Sequence, residues 1–100
     1  MENKYDIYIC YSRKDLDYAH AITRIIESGG YSYFFDYNDI YSGDDFAMRI
    51  NDAIERCALF VFLLSENTTQ SRWSLTELST AIGLGKTILP IQIDDSSAEG

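Results

Sequence analysis

The sequence predicts an α/β domain in which helices cover both faces of a parallel sheet. Short segments rich in β-branched and aromatic residues alternate with segments whose apolar residues keep helical spacing. Such alternation implies parallel strands joined by right-handed crossovers. The run at residues 59–64 is apolar at every position, which is typical of a strand buried on both faces of such a sheet.

The first part of the chain predicts a strand, a helix and a second strand. Residues 5–10 are mostly β-branched or aromatic, which indicates a strand. Asp15 is placed to cap the helix that follows, and Gly29 and Gly30 end it. Residues 31–35 form the second predicted strand.

The rest of the chain continues the alternation after a polar loop at residues 36–45. The next helix is predicted to bury one apolar face, made of Phe46, Ile50, Ala53, Ile54 and Cys57. The remaining predicted elements are a strand at 59–64, a loop at 65–70, a helix that contains Trp73 and ends near Gly83, and a strand at 87–93. In that last helix we expect the buried stripe to be Leu78, Ala81 and Ile82.

The predicted sheet has four strands, in the order 2-1-3-4 of flavodoxin-like folds. Doubly wound sheets commonly have a fifth strand and a closing helix. We therefore expect one domain over residues 1–94 that lacks its last strand and helix, followed by a loop or tail at 95–100.

Charge and composition narrow the classes of function. The chain has 16 acidic and 8 basic residues and a net charge of −8, which leaves no basic stripe for nucleic acid. No segment resembles a signal peptide or reaches membrane-spanning length, so we expect a cytoplasmic protein that does not bind membranes. Cys10 and Cys57 lie in apolar segments and should be free thiols, and no cluster of ligands predicts a metal site.

The topology predicts where a site would form. In open α/β sheets, ligands bind beyond the carboxyl ends of the strands, where the strand order reverses. In the order 2-1-3-4 the loops after the first and third strands meet at this point, so Arg13, Trp73 and Glu77 should converge. Trp73 and Glu77 are four residues apart on one side of a helix. Glu77 lies on the margin of the buried stripe, where it could be half buried, and we expect it to face an open pocket shared with Arg13.

A structural role for Glu77 is the alternative. Ser74 and Glu77 have the spacing of a capping box, in which the glutamate bonds the first backbone amide of its own helix. If the helix begins at Ser71 or Arg72 instead, Glu77 lies beyond the first turn and has no capping role. The spacing alone leaves both interpretations open.

Several segments resemble those of TIR domains, in the same order along the chain. Residues 6–15 resemble the opening strand and loop of the family. Phe34, Phe35 and Asp36, followed by Ser42 and Gly43, resemble its second strand and BB loop. Its third helix and fourth strand are matched by Ser71-Arg72-Trp73, by Glu77-Leu78 and by residues 85–91. The resemblance extends over nearly the whole chain.

The resemblance implies a flavodoxin-like fold and, for the bacterial branch that carries Trp-x-x-x-Glu, cleavage of NAD+ at its nicotinamide–ribose bond. Glu77 matches the catalytic glutamate. The residues implied in holding the substrate are Arg13, Ser12, Trp73, Asp36, Ser42 and Gly43. NAD+ would be the substrate, with no further cofactor. The BB loop, residues 36–45, lacks the proline of animal receptor TIR domains, which favours an enzyme over a receptor adaptor.

The resemblance also implies self-association, in which the BB loop of one copy completes the site of the next. Such a protein would act in bacterial antiphage or stress responses, with a C-terminal sensor domain that binds a cyclic nucleotide. Two other interpretations remain open. The chain could be a non-catalytic module for TIR–TIR interaction, or an enzyme similar to nucleoside deoxyribosyltransferases.

Overall fold

The structure, a computed structural model, describes residues 4–35 and 43–93, and only the backbone of residues 43–47. In this part of the chain four parallel strands form one sheet in the order β2-β1-β3-β4. The strands are β1 (Tyr5–Cys10), β2 (Tyr33–Phe35), β3 (Cys57–Leu64) and β4 (Ile88–Gln92). The helices are α1 (Leu16–Ser28), α2 (Gly43–Glu55), α3 (Glu66–Thr69) and α4 (Arg72–Gly83), and a 3-10 turn (Arg13–Asp15) precedes α1. The predicted flavodoxin-like fold and strand order are confirmed.

The core consists of two layers, one on each face of the sheet. Successive residues of a strand face opposite sides, so Tyr8 and Phe60 pack with α2 and α4, whereas Ile9 and Val61 pack with α1. The rings of Tyr8 and Phe60 stack with their centroids 5.2 Å apart. Burying one such side chain stabilises the fold by about 1.5–3 kcal/mol. The central strands β1 and β3 are therefore held by core packing on both faces of the sheet. The segments that follow their carboxyl ends are anchored to these strands.

The segment predicted as a loop at residues 65–70 contains the short helix α3, so that prediction was wrong. Ser65 is its N-cap: its hydroxyl accepts a hydrogen bond from the Thr68 amide at 3.1 Å. In return the Thr68 hydroxyl accepts one from the Ser65 amide at 2.9 Å. Both residues are fully buried. This reciprocal capping box holds a single helical turn directly after β3.

Helix α4 begins at Arg72 with Ser71 as its N-cap, whose hydroxyl accepts a hydrogen bond from the Ser74 amide at 3.1 Å. Its buried residues are Ser74, Glu77 and Ala81, and Ile82 is 61% exposed. The prediction was right for Ala81 and wrong for Ile82. The Ser74 hydroxyl donates a hydrogen bond to the Tyr11 carbonyl, and the Ser74 carbonyl accepts one from the Cys10 thiol, so a polar stripe of the helix faces inwards.

Both cysteines are free and buried, as predicted. Across residues 4–35 and 43–93, no helix combines the length and the apolar character needed to cross a bilayer. The same residues contain no group of three or more His, Cys, Asp or Glu side chains placed to hold a metal ion.

Candidate functional site

A pocket of about 330 Å³ lies beyond the carboxyl ends of β1 and β3, where the topology predicts a site. One wall is the segment that follows β1, and the other is the segment that follows β3. Its lining residues are Tyr11, Ser12, Arg13 and Lys14 on the first wall, and Asn67, Gln70, Ser71 and Trp73 on the second. We call this the large pocket, because it is larger than the second pocket that Trp73 also lines, described below.

The large pocket suits an anionic group. Arg13 and Lys14 are exposed on one wall, although the chain as a whole carries a net charge of −8. The N-cap of α4, Ser71, lies on the other wall, and the amino end of a helix favours negative charge. Two cations facing a helix N-terminus fit a phosphate or pyrophosphate group.

The turn after β1 is held by its own polar groups. The Ser12 hydroxyl accepts a hydrogen bond from the Lys14 amide at 3.3 Å, and the Asp15 amide donates to the Ser12 carbonyl at 2.8 Å. Ser12 lines the large pocket but is only 8% exposed. In the described structure its hydroxyl caps the 3-10 turn that presents Arg13.

Asp15 has a different role from the predicted helix cap. It stands at the N-cap position of α1 but makes no capping hydrogen bond with its side chain. Its carboxylate instead accepts hydrogen bonds from the Ser65 hydroxyl at 2.6 Å and from the side-chain amide of Asn67 (Nδ2) at 2.8 Å. Asp15 is 6% exposed. The sequence analysis missed this link, although parallel topology brings the segments after β1 and β3 together and both are rich in polar residues.

A second, smaller pocket of about 140 Å³ lies between α2 and α4. We call it the small pocket. Its lining residues are Ile50, Asn51, Ile54, Trp73, Thr76, Glu77 and Thr80. Trp73, which is 39% exposed, lines both pockets.

The structure places Glu77 in the small pocket and Arg13 in the large one. The expectation of one open pocket shared with Arg13 was therefore wrong, and Glu77, at 3% exposed, is buried more deeply than its place on the margin of the stripe indicates. The cause is the orientation of α4: Ser74, one turn before Glu77, donates a hydrogen bond from its hydroxyl to the Tyr11 carbonyl at 3.1 Å. This contact rotates Glu77 inwards, towards α2.

The capping interpretation of Glu77 does not fit the observed helix. Because α4 begins at Arg72, Ser74 is its third residue and Glu77 its sixth, which lies beyond the first turn. Glutamate is almost never fully buried without a specific reason. A nearly buried Glu77 at the edge of a pocket, and not at a helix end, marks the residue as a candidate for chemistry.

Two of the residues that the resemblance singled out, Asp36 and Ser42, lie outside the described residues, as does most of the BB loop. Gly43 is the first residue of α2, so the helix includes the last three residues of the predicted loop. Tyr11 is a lining residue that the sequence analysis missed. Its ring stacks on Phe35, with centroids 4.8 Å apart, and its position directly after β1 could have indicated it.

The sheet order and the pocket at its switch point define a flavodoxin-like α/β domain. A family model of the TIR domain matches residues 7–100. The chain therefore belongs to the TIR domain family.

Three comparisons describe its relatives. A putative cyclic ADP-D-ribose synthase of Cytobacillus dafuensis is 31% identical over 112 residues, which include all of this chain and 28% of that protein. A probable 2′ cyclic ADP-D-ribose synthase of Brachypodium distachyon is 27% identical over 97 residues, or 93% of this chain and 42% of that protein. The crystal structure of the TIR domain of a Toll-related receptor from Hydra magnipapillata superposes with a TM-score of 0.74 at 28% identity, over 87% of this chain and 69% of that one. The chain thus spans less than half the length of the two synthases.

Proposed function

We propose that this TIR domain cleaves NAD+ at the nicotinamide–ribose bond, with Glu77 as the catalytic carboxylate. The products would be nicotinamide and linear or cyclic ADP-ribose. The observation that carries the proposal is the position of Glu77, which lines a pocket beside Trp73 and has no capping position in its helix. The names of the two synthases support the same chemistry.

A single carboxylate is sufficient for this reaction. Ordinary glycosidases use two, because the leaving alkoxide must be protonated by an acid. Nicotinamide leaves as a neutral molecule from a cationic nitrogen, so no acid is needed. A carboxylate beside the ribose stabilises the positive charge that develops on the sugar, or traps it covalently. Because water is largely excluded from around Glu77, this stabilisation is stronger than it would be in solvent.

The two pockets suggest where the different parts of NAD+ bind. The large pocket, at about 330 Å³, lies near the lower end of the range of about 300–1,000 Å³ that is usual for drug-sized ligands, and the small pocket, at about 140 Å³, lies below it. Because NAD+ is larger than most drugs, neither pocket alone holds all of it. In our proposal Arg13, Lys14 and the amino end of α4 hold the pyrophosphate in the large pocket. The nicotinamide end of the molecule lies at the small pocket, with its ribose towards Glu77. Trp73 lies between them, so its indole must shift for the ribose to reach the carboxylate.

The biological setting in our proposal is the one that the family resemblance implies. Copies associate through the BB loop, residues 36–45, and clustering switches the activity on. The protein then serves as a cytoplasmic effector in bacterial defence, under the control of a C-terminal sensor that binds a cyclic nucleotide. A heterologous contact that does not close builds filaments, which makes activity depend on local concentration.

A non-catalytic TIR–TIR interaction module is the second candidate. The 3% exposure of Glu77 favours it, because a sugar cannot reach the carboxylate unless Trp73 moves. The two candidates differ in whether NAD+ is consumed.

The test is nicotinamide release from NAD+ by concentrated protein, measured by chromatography. Glu77→Gln preserves the size of the side chain and removes its charge, so we expect the rate to fall by about 100-fold or more. Glu55→Gln is the matched control, because Glu55 is an exposed glutamate on the neighbouring helix α2, and it should keep the wild-type rate. Equal rates for Glu77→Gln and wild type would overturn the assignment of Glu77. No release by assembled wild-type protein would favour the interaction module.

A further inference from the structure

We propose that Asp15 is a positioning residue that sets the distance between the two walls of the large pocket. Its carboxylate belongs to the segment after β1 and accepts hydrogen bonds from two residues of the segment after β3, Ser65 at 2.6 Å and Asn67 at 2.8 Å. The two segments are 50 residues apart in sequence. One buried side chain thus joins both walls.

The partners of Asp15 explain why this position holds a carboxylate. The Ser65 hydroxyl already accepts a hydrogen bond from the Thr68 amide, at the start of α3. Its own proton is therefore available to Asp15, and the two oxygens are 2.6 Å apart. Asn67 adds a second donor on the other carboxylate oxygen. The negative charge of Asp15, 6% exposed, is compensated by these two hydrogen bonds.

Asp15 is hydrogen-bonded to both walls of the large pocket. Asp15 closes the 3-10 turn through its own amide, which donates to the Ser12 carbonyl at 2.8 Å, and that turn presents Arg13 and Lys14. On the other side, Asn67 lines the pocket itself and lies in α3, which leads to the N-cap of α4. Asp15 therefore fixes the cations relative to the helix N-terminus that faces them.

A purely electrostatic role of Asp15 predicts an effect of the opposite sign. A negative charge next to a pocket for an anion weakens binding, so its removal should tighten binding. If Asp15 positions the walls, its removal should weaken binding, because misplaced groups lose their simultaneous contacts with the ligand. The sign of the change separates the two roles. A purely structural role would lower stability without changing the affinity of the molecules that remain folded.

Trp73 provides a measurement that does not require catalysis. It is the one tryptophan of the chain and lines the large pocket, so its fluorescence reports on what binds there. The first probe is inorganic pyrophosphate, which depends only on the large pocket. The second is NAD+, whose use rests on the proposed function.

The experiment compares Asp15→Ala with Asp17→Ala, the matched removal of an exposed aspartate on α1. Circular dichroism first confirms that each variant is folded. We expect Asp15→Ala to raise the Kd for pyrophosphate by about 10-fold, and to raise the KM for NAD+ more than it lowers kcat. Asp17→Ala should leave the Kd unchanged or slightly lower. Ser65→Ala removes one of the two donors to Asp15, from a fully buried position, and should also raise the Kd for pyrophosphate. It replaces Asp15→Ala if that variant fails to fold.

The outcomes separate this inference from the proposed function. An unchanged or lower Kd for pyrophosphate in Asp15→Ala and Ser65→Ala would overturn the positioning role, as would wild-type protein that does not bind pyrophosphate. Pyrophosphate binding that weakens in both variants supports the role of Asp15, even if wild-type protein does not cleave NAD+. In that last case only the proposed NAD+ cleavage fails.

Discussion

Buried polar residues concentrate at the carboxyl end of the sheet. Asp15, Ser65, Ser74 and Glu77 are each at most 6% exposed, and all four belong to the segments that follow β1 and β3. Burying a polar side chain is unfavourable unless hydrogen bonds compensate for the lost water. A core needed only for stability would use apolar residues here, as the rest of the sheet does. We infer that the positions of these residues serve the site.

The raised pKa of Cys57 makes the stability of the fold depend on pH. Burial raises the pKa of its thiol, and the nearby Lys86 ammonium opposes this shift only in part. Because the pKa is higher in the folded than in the unfolded state, the thiol contributes stability that is fully present below its unfolded value of about 8.5. This contribution is lost as the pH rises through the folded value. We therefore predict that the free energy of unfolding decreases in alkaline solution partly because of Cys57.

Urea unfolding of wild type and Cys57→Ala, between about pH 7 and about pH 10, checks this prediction. The variant should lose less stability than wild type over that range. Tyr33 also has a raised pKa, because of its hydrogen bond to Glu27, but this titration is common to both proteins and cancels in the comparison. Parallel curves for the two proteins would contradict the prediction.

At the scale of elements, the docking of α4 against β1 determines where Glu77 lies. Ser74 is 1% exposed, its hydroxyl donates to the Tyr11 carbonyl at 3.1 Å, and its carbonyl accepts from the Cys10 thiol at 3.5 Å. Ser74→Ala removes the first bond and leaves a buried carbonyl without that donor. We expect the free energy of unfolding to fall by about 1–3 kcal/mol. We also expect kcat for NAD+ to fall more than KM rises, because Glu77 lies one turn further along the same face.

Ser79→Ala is the control for this prediction, since Ser79 is an exposed serine of the same helix and should change neither quantity. Urea unfolding gives the stability, and initial rates of nicotinamide release give kcat and KM. If both variants unfold at the same urea concentration, Ser74 does not anchor the helix. If Ser74→Ala loses stability but keeps kcat, the anchor does not position Glu77.

The sequence predicted the elements better than their orientations. The spacing of apolar residues along the sequence indicates whether a segment is a strand or a helix, and it correctly predicted β1, α1 and β3. Helix α3 was missed because four residues held by a capping box carry no apolar period. The exposure of Ile82 was missed because α4 is oriented by two hydrogen bonds between Ser74 and the residues Cys10 and Tyr11, and sequence spacing does not record such contacts. Asp15 was assigned to a helix cap because its partners lie 50 residues further along the chain.

At the scale of the whole molecule, the place of the site was predictable and its shape was not. Strand order alone puts the segments after β1 and β3 side by side, so the large pocket lies where it was expected. Trp73 separates the large pocket from the small pocket. Its position depends on how α4 is rotated and how α2 packs, and local sequence patterns do not determine either. Arg13 and Glu77, which were predicted to share one pocket, therefore line two different pockets, and the indole of Trp73 lines both.

Net charge determines how the proposed self-assembly should respond to salt. Copies that carry a charge of −8 repel one another, and each is small, with a radius of gyration of 13.0 Å over its Cα atoms. Electrostatic repulsion extends about 30 Å at 0.01 M salt but only about 8 Å at 0.15 M. We therefore predict that the rate of nicotinamide release per molecule rises with protein concentration, and that the concentration for half-maximal activity is lower at the higher salt.

The measurement uses saturating NAD+, because salt also weakens the attraction of an anionic substrate to Arg13 and Lys14 and would otherwise oppose the effect. Light scattering on the same samples reports assembly, and Glu77→Gln should assemble like wild type while releasing little nicotinamide. A rate per molecule that does not depend on protein concentration at either salt would show that single copies are fully active. Assembly would then have no regulatory role, since a complete site would already exist within one chain.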